Sequence, residues 1–415
     1  MVVVGAGVIG IATALTLLDR GHGVTVIDAA AGAGLETSFA NGAQLSYAYT
    51  DALASPATLA ALPRLMLGLD PAFRMRASFD VDFLRWGLSF LRNATPGRFR
   101  RNTIEGMALA FQSKIALKRL ASRFGIDFLH SAPGKLHLLR SARSMARARE
   151  AAALKVRFGA RQRIVDAEEA LAIEPALADA RSQIVGAVHT RDEEVGDPHR
   201  FCTQGATAIA ASGRGELLFG HSVDRIDREG DRPRVHTRTG RAIDADHVVL
   251  CAGHQSGVLA KRIGARLPIM PMKGYSITAP ILDPDRAPRL SLTDESRRIV
   301  CSRLGNHLRV AGTAELNGYN LEPNPARSAA IVKWIEDHLP GAADLGQAEH
   351  WCGLRPATPS NVPLIGRTRV DNLFLNTGHG TLGWTLACGS GQALSDIVTG
   401  RQPRPDFPFL LDKGR

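Results

Sequence analysis

The stretch Met1-Val2-Val3-Val4-Gly5-Ala6-Gly7-Val8-Ile9-Gly10 decides the fold of this chain of 415 residues. It predicts a buried strand that runs directly into Gly-x-Gly-x-x-Gly and an apolar helix. Gly5 suits the tight turn, Gly7 lets the backbone approach a pyrophosphate, and Gly10 lets the helix pack closely against the strand. A second strand, residues 24–27, ends at Asp28, where a carboxylate can accept hydrogen bonds from ribose hydroxyls. The pattern therefore predicts a site for an adenine dinucleotide without a 2′-phosphate.

Length and composition limit the class of protein. With 45% hydrophobic residues the chain can bury a large core, and its length favours two or three domains. Residues 1–18 are apolar, but their glycine spacing and the lack of a basic segment before them argue against a signal peptide. No other run approaches the roughly 20 apolar residues that span a bilayer. Five widely spaced cysteines indicate reduced thiols in a cytoplasmic protein, with neither a disulfide framework nor a metal site.

The net charge of +11 permits an anionic partner without identifying one. Eight arginines lie between Arg64 and Arg101, interleaved with Phe73, Phe79, Phe83, Trp86, Phe90 and Phe99. We favour a helical cap with a solvated arginine face. Peripheral contact with the inner face of the cell membrane is the alternative. Nucleic-acid binding is disfavoured, since no helix-turn-helix, zinc or aromatic-platform signature occurs.

The rest of the chain predicts a cofactor domain that is built from several separate segments of the sequence. Residues 57–130 are expected to be mostly helical, 135–139 and 184–189 to be strands, and 144–158 a helix. Asp197 and Pro198 suit the N-cap and first turn of another helix. A buried strand at 247–250 leads into Cys251-Ala252-Gly253, residues 268–312 alternate as an antiparallel sheet does, and a long helix is expected at about 384–399.

Four separate stretches resemble the D-amino-acid oxidase and glycine oxidase superfamily of flavoenzymes, and most closely its D-amino-acid dehydrogenases of the small-subunit type. They are Gly5 to Gly10 with Asp28, Glu36-Thr37-Ser38-Phe39-Ala40-Asn41-Gly42-Ala43-Gln44-Leu45-Ser46, Pro271-Met272-Lys273-Gly274-Tyr275-Ser276, and Trp351 to Gly391. The motifs are unrelated to one another and occur in the family's order along nearly the whole chain. Ser46-Tyr47-Ala48-Tyr49 departs from the more usual Ser-Pro-Gly-Tyr.

The resemblance implies an α/β (α+β) protein of two domains. A Rossmann-like FAD-binding domain, discontinuous in sequence, would take residues 1–55, 185–265 and 350–415. A substrate domain of antiparallel sheet plus helices would take 56–184 and 266–349. The implied reaction is oxidative deamination of a D-amino acid to a 2-oxo acid and ammonia, with hydride transfer from the α-carbon to N5 of FAD. The electrons would pass to a quinone or another acceptor.

Residue chemistry gives candidates for substrate binding. A planar carboxylate suits the two parallel hydrogen bonds of an arginine. Arg355, in Gly-Leu-Arg-Pro-x-x-Pro, is the first choice and resembles the family's carboxylate-binding arginine, while Arg303 is the second. Tyr275 and Tyr49 are the candidates for a phenol beside the substrate, although either could be a core tyrosine with a satisfied hydroxyl.

The remaining candidates concern the cofactor. Small residues at 378–383 allow the backbone to press against a flavin ring, and the helix that follows can direct its positive end toward it. His379 is expected to pack against the flavin and not to transfer protons. The expected binding set is Gly5, Gly7, Val8, Ile9, Gly10, Asp28, Thr37, Ser38, Asn41, Gln44, Val223, Cys251, Ala252, Gly253, Gly378, His379, Gly380, Thr381, Leu382 and Gly383. We expect non-covalent FAD, because no histidine or cysteine stands at the family's attachment position.

Three alternatives remain open at this point. A nicotinamide-dependent dehydrogenase would share the opening fingerprint. The chain could also be a flavoprotein subunit of a larger electron-transfer complex, and it holds no cysteine cluster for an iron–sulfur centre of its own. A cyclic or secondary amine such as D-proline or hydroxy-D-proline would be oxidised at the same carbon.

Overall fold

The computed structural model describes residues 1–411 except 69, 71, 77, 79, 230 and 231, with the backbone alone for 228 and 229. The strands are β1 (Val2–Val4), β2 (Val24–Ile27), β3 (Gln44–Leu45), β4 (Phe73–Met75), β5 (Lys135–Leu139), β6 (Gln162–Asp166), β7 (Gly186–Thr190), β8 (Glu194–Val195), β9 (Gly215–Leu218), β10 (Val223–Glu229), β11 (Arg232–Thr237), β12 (Ala242–Asp244), β13 (Val248–Leu250), β14 (Met270–Pro280), β15 (Ser291–Asp294), β16 (Ile299–Leu304), β17 (His307–Leu316), β18 (Glu349–Ala357), β19 (Leu364–Arg367) and β20 (Leu373–Thr377). The α-helices are α1 (Val8–Asp19), α2 (Pro56–Met66), α3 (Val81–Asn93), α4 (Pro96–Phe124), α5 (Ala142–Val156), α6 (Ala167–Ile173), α7 (Pro198–Ala211), α8 (Ser256–Arg262), α9 (Pro325–His338) and α10 (Gly383–Val398).

In the described part of the chain, six strands form one sheet in the order β19-β20-β13-β1-β2-β9. The pairs are parallel except β19 with β20. Strands covered on both faces read as continuous apolar runs, and β1 and β13 are fully buried Val/Leu segments. Helices α1 and α10 pack together in one core cluster with this sheet.

Two glycines of the opening fingerprint bring β1 and α1 unusually close. Gly5 adopts φ +109°, and a Cβ there would lie 2.5 Å from the Cys251 carbonyl oxygen. A Cβ on Gly10 would lie 1.8 Å from the Gly5 carbonyl oxygen. The turn and the close helix–strand contact that the motif predicts are both present, and they direct the N-terminus of α1 past the end of β1.

Nine strands of the described chain form the second large sheet, in the order β18-β14-β17-β16-β15-β5-β7-β6, with β4 beside β17. Most pairs are antiparallel, as predicted for residues 268–312, while β15 with β5 and β17 with β4 are parallel. One face of β14 packs with α9 in an apolar cluster. The other face meets the loop before β3, where the Ser276 hydroxyl donates to the Ala40 carbonyl at 2.5 Å.

The segment expected to be mostly helical, residues 57–130, contains α2, α3 and α4, but also the short strand β4, which the sequence analysis missed. Trp86 and Phe90 stack at 5.3 Å and pack inward with Met272 and Ala357, whereas the arginines of α3 are exposed. The segment therefore covers the sheet as a helical cap. Phe79, one of its predicted aromatic residues, lies outside the described residues. No described helix has both the length and the apolar composition needed to cross a membrane.

The predicted domain boundaries differ from the observed packing for two strands and one helix. Strands β7 and β18, assigned to the cofactor domain, hydrogen-bond within the nine-stranded sheet. Helix α4, assigned to the substrate domain, packs against α10 and contributes Leu109 and Leu117 to the core under the cofactor sheet. These are pairings between segments far apart in sequence, which local patterning does not reveal. Residues 412–415 of the predicted cofactor domain lie outside the described residues.

We expect Gly10→Ala to lower the free energy of unfolding by about 3 kcal/mol, because the added methyl group would overlap the Gly5 carbonyl. Chemical denaturation measures the change. Gly87→Ala in α3 is the matched control, since no atom lies within 4 Å of its Cβ position, and it should be neutral or slightly stabilising. Equal stability of the two variants would contradict the close contact.

Candidate active site

A cavity of about 1990 Å³ lies where the carboxyl ends of β1, β2 and β13 meet one face of the nine-stranded sheet. The segments that line it include the opening glycines, the loop before β3, helix α3, strands β14 and β18, and the start of α10. Ligands of open parallel sheets bind outside the carboxyl ends of the strands. This volume exceeds the 300–1,000 Å³ that is usual for drug-sized ligands, so it can accommodate a dinucleotide together with a small substrate.

The N-terminus of α1 opens into this cavity. Gly7 is its N-cap and supplies no capping side chain, while the Val8 amide donates to the Ser38 hydroxyl at 3.0 Å. A Cβ on Gly7 would contact only Ser38 Oγ, at 3.4 Å, so the space in front of the helix is open. Gly5, Gly7, Val8 and Ile9 line the cavity. Free backbone amides and the helix dipole make such an end suitable for a phosphate.

Asp28 lies at the end of β2 and also lines the cavity. Its Oδ2 accepts a hydrogen bond from the Ala6 amide at 2.5 Å, and its Oδ1 accepts one from the Ala30 amide at 2.8 Å. Burial raises the pKa of this carboxyl, and the two amides oppose that rise. Each oxygen retains acceptor capacity toward the cavity, so the carboxylate can also accept hydrogen bonds from ribose hydroxyls.

Between β2 and β3, the predicted polar residues mostly bind the protein itself. The Thr37 hydroxyl donates to the Leu354 carbonyl at 2.7 Å, and Asn41 Oδ1 accepts from the Ala43 amide at 2.8 Å. Gln44 Nε2 donates to the Ser291 hydroxyl at 2.6 Å. These bonds fix the loop against the second sheet. Thr37, Ser38, Asn41 and Gln44 all line the cavity.

The N-terminus of a second helix, α10, also reaches the cavity, and it comes from the C-terminal part of the sequence. Residues 379–385 line it, ending in the first turn of α10. Leu382, the N-cap of α10, makes no side-chain capping bond, and the Thr385 hydroxyl accepts from the Ser46 amide at 3.0 Å. The positive end of α10 therefore opens toward the cavity and can stabilise negative charge there.

His379 is buried, and its Nε2 lies 3.1 Å from the Ser390 hydroxyl. Burial lowers the pKa of the imidazole to about 3. The ring is therefore neutral at neutral pH and is a poor proton acceptor there. Gly378 is required by packing, since a Cβ would lie 2.7 Å from Thr358 Cγ2, and Gly380 likewise approaches Asn361 Oδ1.

The remaining predicted cofactor residues divide into two groups. Val223, Cys251, Ala252 and Gly253 line the cavity beside the opening fingerprint. Gly10 and Gly378 do not line it and act through packing of the neighbouring backbone. Among the described residues, no group of three or more His, Cys, Asp or Glu side chains is arranged to hold a metal ion.

Arg355, on β18, directs its guanidinium into the cavity across the backbone of Gly274. A Cβ on Gly274 would lie 2.2 Å from Arg355 Nη2, so the glycine makes room for the guanidinium. Nη1 donates to the Thr313 carbonyl at 3.4 Å, and no described carboxylate forms an ion pair with the group. Burial lowers the pKa of Arg355 to about 10, which leaves it charged at neutral pH. An unpaired cation in a cavity can bind a ligand carboxylate.

The structure does not bring Tyr275 and Arg303 to this guanidinium. The Tyr275 hydroxyl donates to Glu315 Oε2 at 2.8 Å, within a buried group that includes Lys273, and its ring packs toward α9. Although its strand crosses the cavity, alternate side chains of a strand point to opposite faces, and Tyr275 takes the face opposite to Gly274. The Arg303 guanidinium is directed instead to the carbonyls of Gly305 and Pro284. Tyr275 nevertheless lines the cavity, whereas Arg303 does not.

Tyr49 does line the cavity, and its hydroxyl makes no hydrogen bond to the described residues. The ring lies at right angles to that of His137, with centroids 4.8 Å apart, and Lys135 Nζ lies 4.3 Å from the Tyr49 centroid. Both tyrosines singled out in the sequence line the cavity, but the Tyr275 hydroxyl is engaged by Glu315, whereas the Tyr49 hydroxyl has no partner among the described residues.

Sequence analysis missed part of the cavity wall. Trp86, held by a 2.9 Å hydrogen bond from its indole to the Ala357 carbonyl, forms an apolar wall with Phe90 and Met272. His137 on β5 also lines the cavity, and Lys135 lies on the same face of the strand without lining it. The alternation Lys-Leu-His-Leu was the available signal, because it places Lys135 and His137 on one side of the strand.

Comparisons with known proteins agree with this geometry. Residues 1–397 match the DAO family, described as FAD dependent oxidoreductase. The chain is 43% identical to a D-amino acid dehydrogenase of Dechloromonas aromatica, over 99% of both chains. It is 42% identical to D-amino acid dehydrogenase 2 of Pseudomonas aeruginosa, over 99% of this chain and 98% of that protein.

Solved structures show the same fold at lower identity. Glycine oxidase from Geobacillus kaustophilus superposes with a TM-score of 0.78 at 20% identity, covering 100% of this chain and 98% of that one. L-proline dehydrogenase from P. horikoshii superposes with a TM-score of 0.76 at 18% identity, covering 98% and 94%.

We expect Gly274→Ala to weaken binding of a simple monocarboxylate such as acetate by ~10- to 100-fold, because the new methyl group displaces the guanidinium and a charge-assisted hydrogen bond contributes about 1.5–3 kcal/mol. Calorimetric titration measures the affinity. Gly87→Ala, which also lines the cavity but meets open space, should bind acetate normally. Unchanged affinity in Gly274→Ala would show that Arg355 does not receive the carboxylate.

Proposed function

This chain belongs to the DAO family of FAD-dependent oxidoreductases, and on that premise we propose that it oxidises D-amino acids to 2-oxo acids and ammonia. The observation that carries the proposal is the buried Arg355 guanidinium, which lacks a carboxylate partner among the described residues and faces a cavity of dinucleotide size. The D-amino acid dehydrogenases that are 40–43% identical over nearly the whole chain support the choice of substrate class.

The residues of the cavity fit non-covalent FAD. The open N-terminus of α1 suits the pyrophosphate, Asp28 suits the ribose, and the first turn of α10 suits the flavin ring. When bound, FAD supplies the acceptor for the hydride that leaves the α-carbon. Cys251 is the cavity-lining cysteine and points toward Thr13, which supports a cofactor held without a covalent bond.

Arg355 would bind the substrate carboxylate through two parallel hydrogen bonds, leaving the α-carbon over the cavity. Gly274 and Thr313 keep the guanidinium in place from two neighbouring strands. The apolar wall formed by Trp86, Phe90 and Met272 excludes water from this side. Positioning of this kind can supply several kcal/mol of the barrier.

The overall change removes a hydride, with its two electrons, from the α-carbon and one proton from the nitrogen, giving an imino acid. Water then adds to the C=N bond, and ammonia leaves the 2-oxo acid. Burial lowers the pKa of His379 to about 3, so this imidazole is a poor proton acceptor at neutral pH. The substrate amine is proposed to react in its neutral form, and Tyr49 supplies a phenol to the same cavity.

Arg355→Met should raise the apparent KM for a D-amino acid by ~30-fold or more, because two charge-assisted hydrogen bonds to the carboxylate are lost. The spectrum of the bound flavin should stay unchanged, and anaerobic flavin reduction gives both quantities. Arg303→Met is the matched control and should leave KM unaltered, since that side chain binds carbonyls outside the cavity. A normal KM in Arg355→Met would remove the arginine from the substrate site.

We further propose that the electrons pass to a membrane quinone and that the α2–α3 cap contacts the membrane peripherally. Val81, Leu84, Leu88 and Leu91 recur on one face of α3 and are 38–58% exposed. Leu84, Leu88 and Leu91 also border the cavity, and the α3 arginines beside them are exposed. An apolar face with adjacent cationic residues suits the interface of an anionic bilayer.

The holoprotein should float with vesicles of phosphatidylglycerol and phosphatidylethanolamine but not with phosphatidylcholine alone. Leu84→Ser with Leu88→Ser should reduce flotation several-fold, because the buried apolar area is lost. Leu282→Ser is the control, since Leu282 is 61% exposed just beyond the end of β14, away from Met272. Equal flotation of wild type, double variant and control would exclude this face as the contact.

A further inference from the structure

Lys135, the first residue of β5, is a cation buried without a carboxylate partner. Its side chain is 2% exposed, and Nζ donates to the Ser46 hydroxyl at 2.8 Å. No described carboxylate lies within ion-pair distance of Nζ. Burying a charge in this way is unfavourable unless other interactions compensate, and the buried Glu193 carboxylate does so in part from beyond ion-pair distance.

The ammonium of Lys135 lies over the ring of Tyr49, 4.3 Å from its centroid. A cation at this distance is attracted to the negative face of an aromatic ring. His137 contacts the same ring edge-on, and Lys155 Nζ lies farther away, at 5.5 Å. The orientation of the Tyr49 ring, and hence of its hydroxyl, therefore depends most directly on Lys135.

The Ser46 hydroxyl that Lys135 binds belongs to the loop that also contacts α10. The Ser46 amide donates to the Thr385 hydroxyl at 3.0 Å, and the Ala48 amide donates to Glu193 Oε1 at 2.8 Å. Lys135 thus connects the Tyr49 ring with the helix end at which the cofactor ring is proposed to lie.

We propose that Lys135 is a positioning residue, whose positive charge holds Tyr49 in the orientation that binds the substrate. The proposal rests on the function proposed above. Lys135 does not line the cavity, so it acts through Tyr49 and Ser46 and not by contact with substrate.

Burial and the charged groups around Lys135 set its pKa, and this pKa determines the pH above which the ammonium–Tyr49 contact is lost. The pKa of Lys135 is lowered to about 8, chiefly by burial and also by the charge of Lys155 on α5, while Glu193 and Asp51 oppose the change. Lys155 is itself paired with Asp51, and His137 lies 3.3 Å from Glu295. A lowered lysine pKa means that the ammonium is present below about pH 8 and is lost as the pH rises through that value.

The test is anaerobic flavin reduction of the holoenzyme by a D-amino acid from pH 6.5 to 9.5, with the limiting rate and the apparent Kd measured separately. In the wild type the apparent Kd should rise above about pH 8. In Lys135→Met it should be raised by roughly 3- to 30-fold at pH 7 and should not change near pH 8. The limiting rate should rise with pH in both proteins, because it follows deprotonation of the substrate amine.

Lys114→Met is the matched control. Lys114 Nζ also lies over a tyrosine ring, that of Tyr47 at 5.0 Å, but this pair is outside the cavity lining. The control should retain the wild-type Kd and its pH dependence. A purely structural role for Lys135 would alter flavin content or stability and leave the shape of the pH profile unchanged.

If Lys135→Met fails to fold, Tyr49→Leu provides the test. In that variant the apparent Kd should not rise near pH 8, because the ring that the ammonium contacts is absent. A wild-type pH profile in either variant would overturn the proposal. If no D-amino acid reduces the wild-type flavin, the proposed function itself fails, and the two failures are thereby distinguished.

Discussion

Two close backbone approaches, each possible only at glycine, determine where charge is placed in this protein. At Gly10, α1 packs directly on the Gly5 carbonyl, so the helix N-terminus opens into the cavity. At Gly274, the absent side chain lets the Arg355 guanidinium lie across β14. On the proposed function, the first contact prepares a site for phosphate and the second a site for carboxylate. Both positions lie at one cavity, although they belong to different sheets.

Burial lowers the pKa of the cationic groups at and beside the cavity. It lowers the pKa of Arg355 to about 10 and that of Lys135 to about 8, so the arginine stays charged at neutral pH while the lysine titrates near it. The same effect leaves His379 neutral. The cavity thus combines a permanent cation with an apolar wall, and His379, at the proposed ring site, is a poor base at neutral pH. On the proposed function, such an arrangement suits an amine that reacts in its neutral form.

Local motifs predicted the turn at Gly5, the start of α1 and the position of Asp28 at the end of β2, because each depends on nearby residues. Arg355 was identifiable from its motif. The face of Tyr275 was not, since a register shift between Lys273 and Tyr275 and the packing of α9 decide it. The contact of Trp86 on α3 with Ala357 and the pairing of β18 with β14 join segments 271 and about 80 residues apart, respectively, and no local pattern encodes such contacts.

On the proposed function, bound FAD oxidises a D-amino acid whose carboxylate is held by Arg355. The most direct test mixes the yellow holoprotein anaerobically with matched D- and L-amino acids, D-proline and hydroxy-D-proline, and follows the flavin absorbance near ~450 nm. Loss of the band with primary D-amino acids and not with their L-isomers is the result we expect. A flavin that no D-amino acid reduces, or that L-isomers reduce equally well, would contradict it.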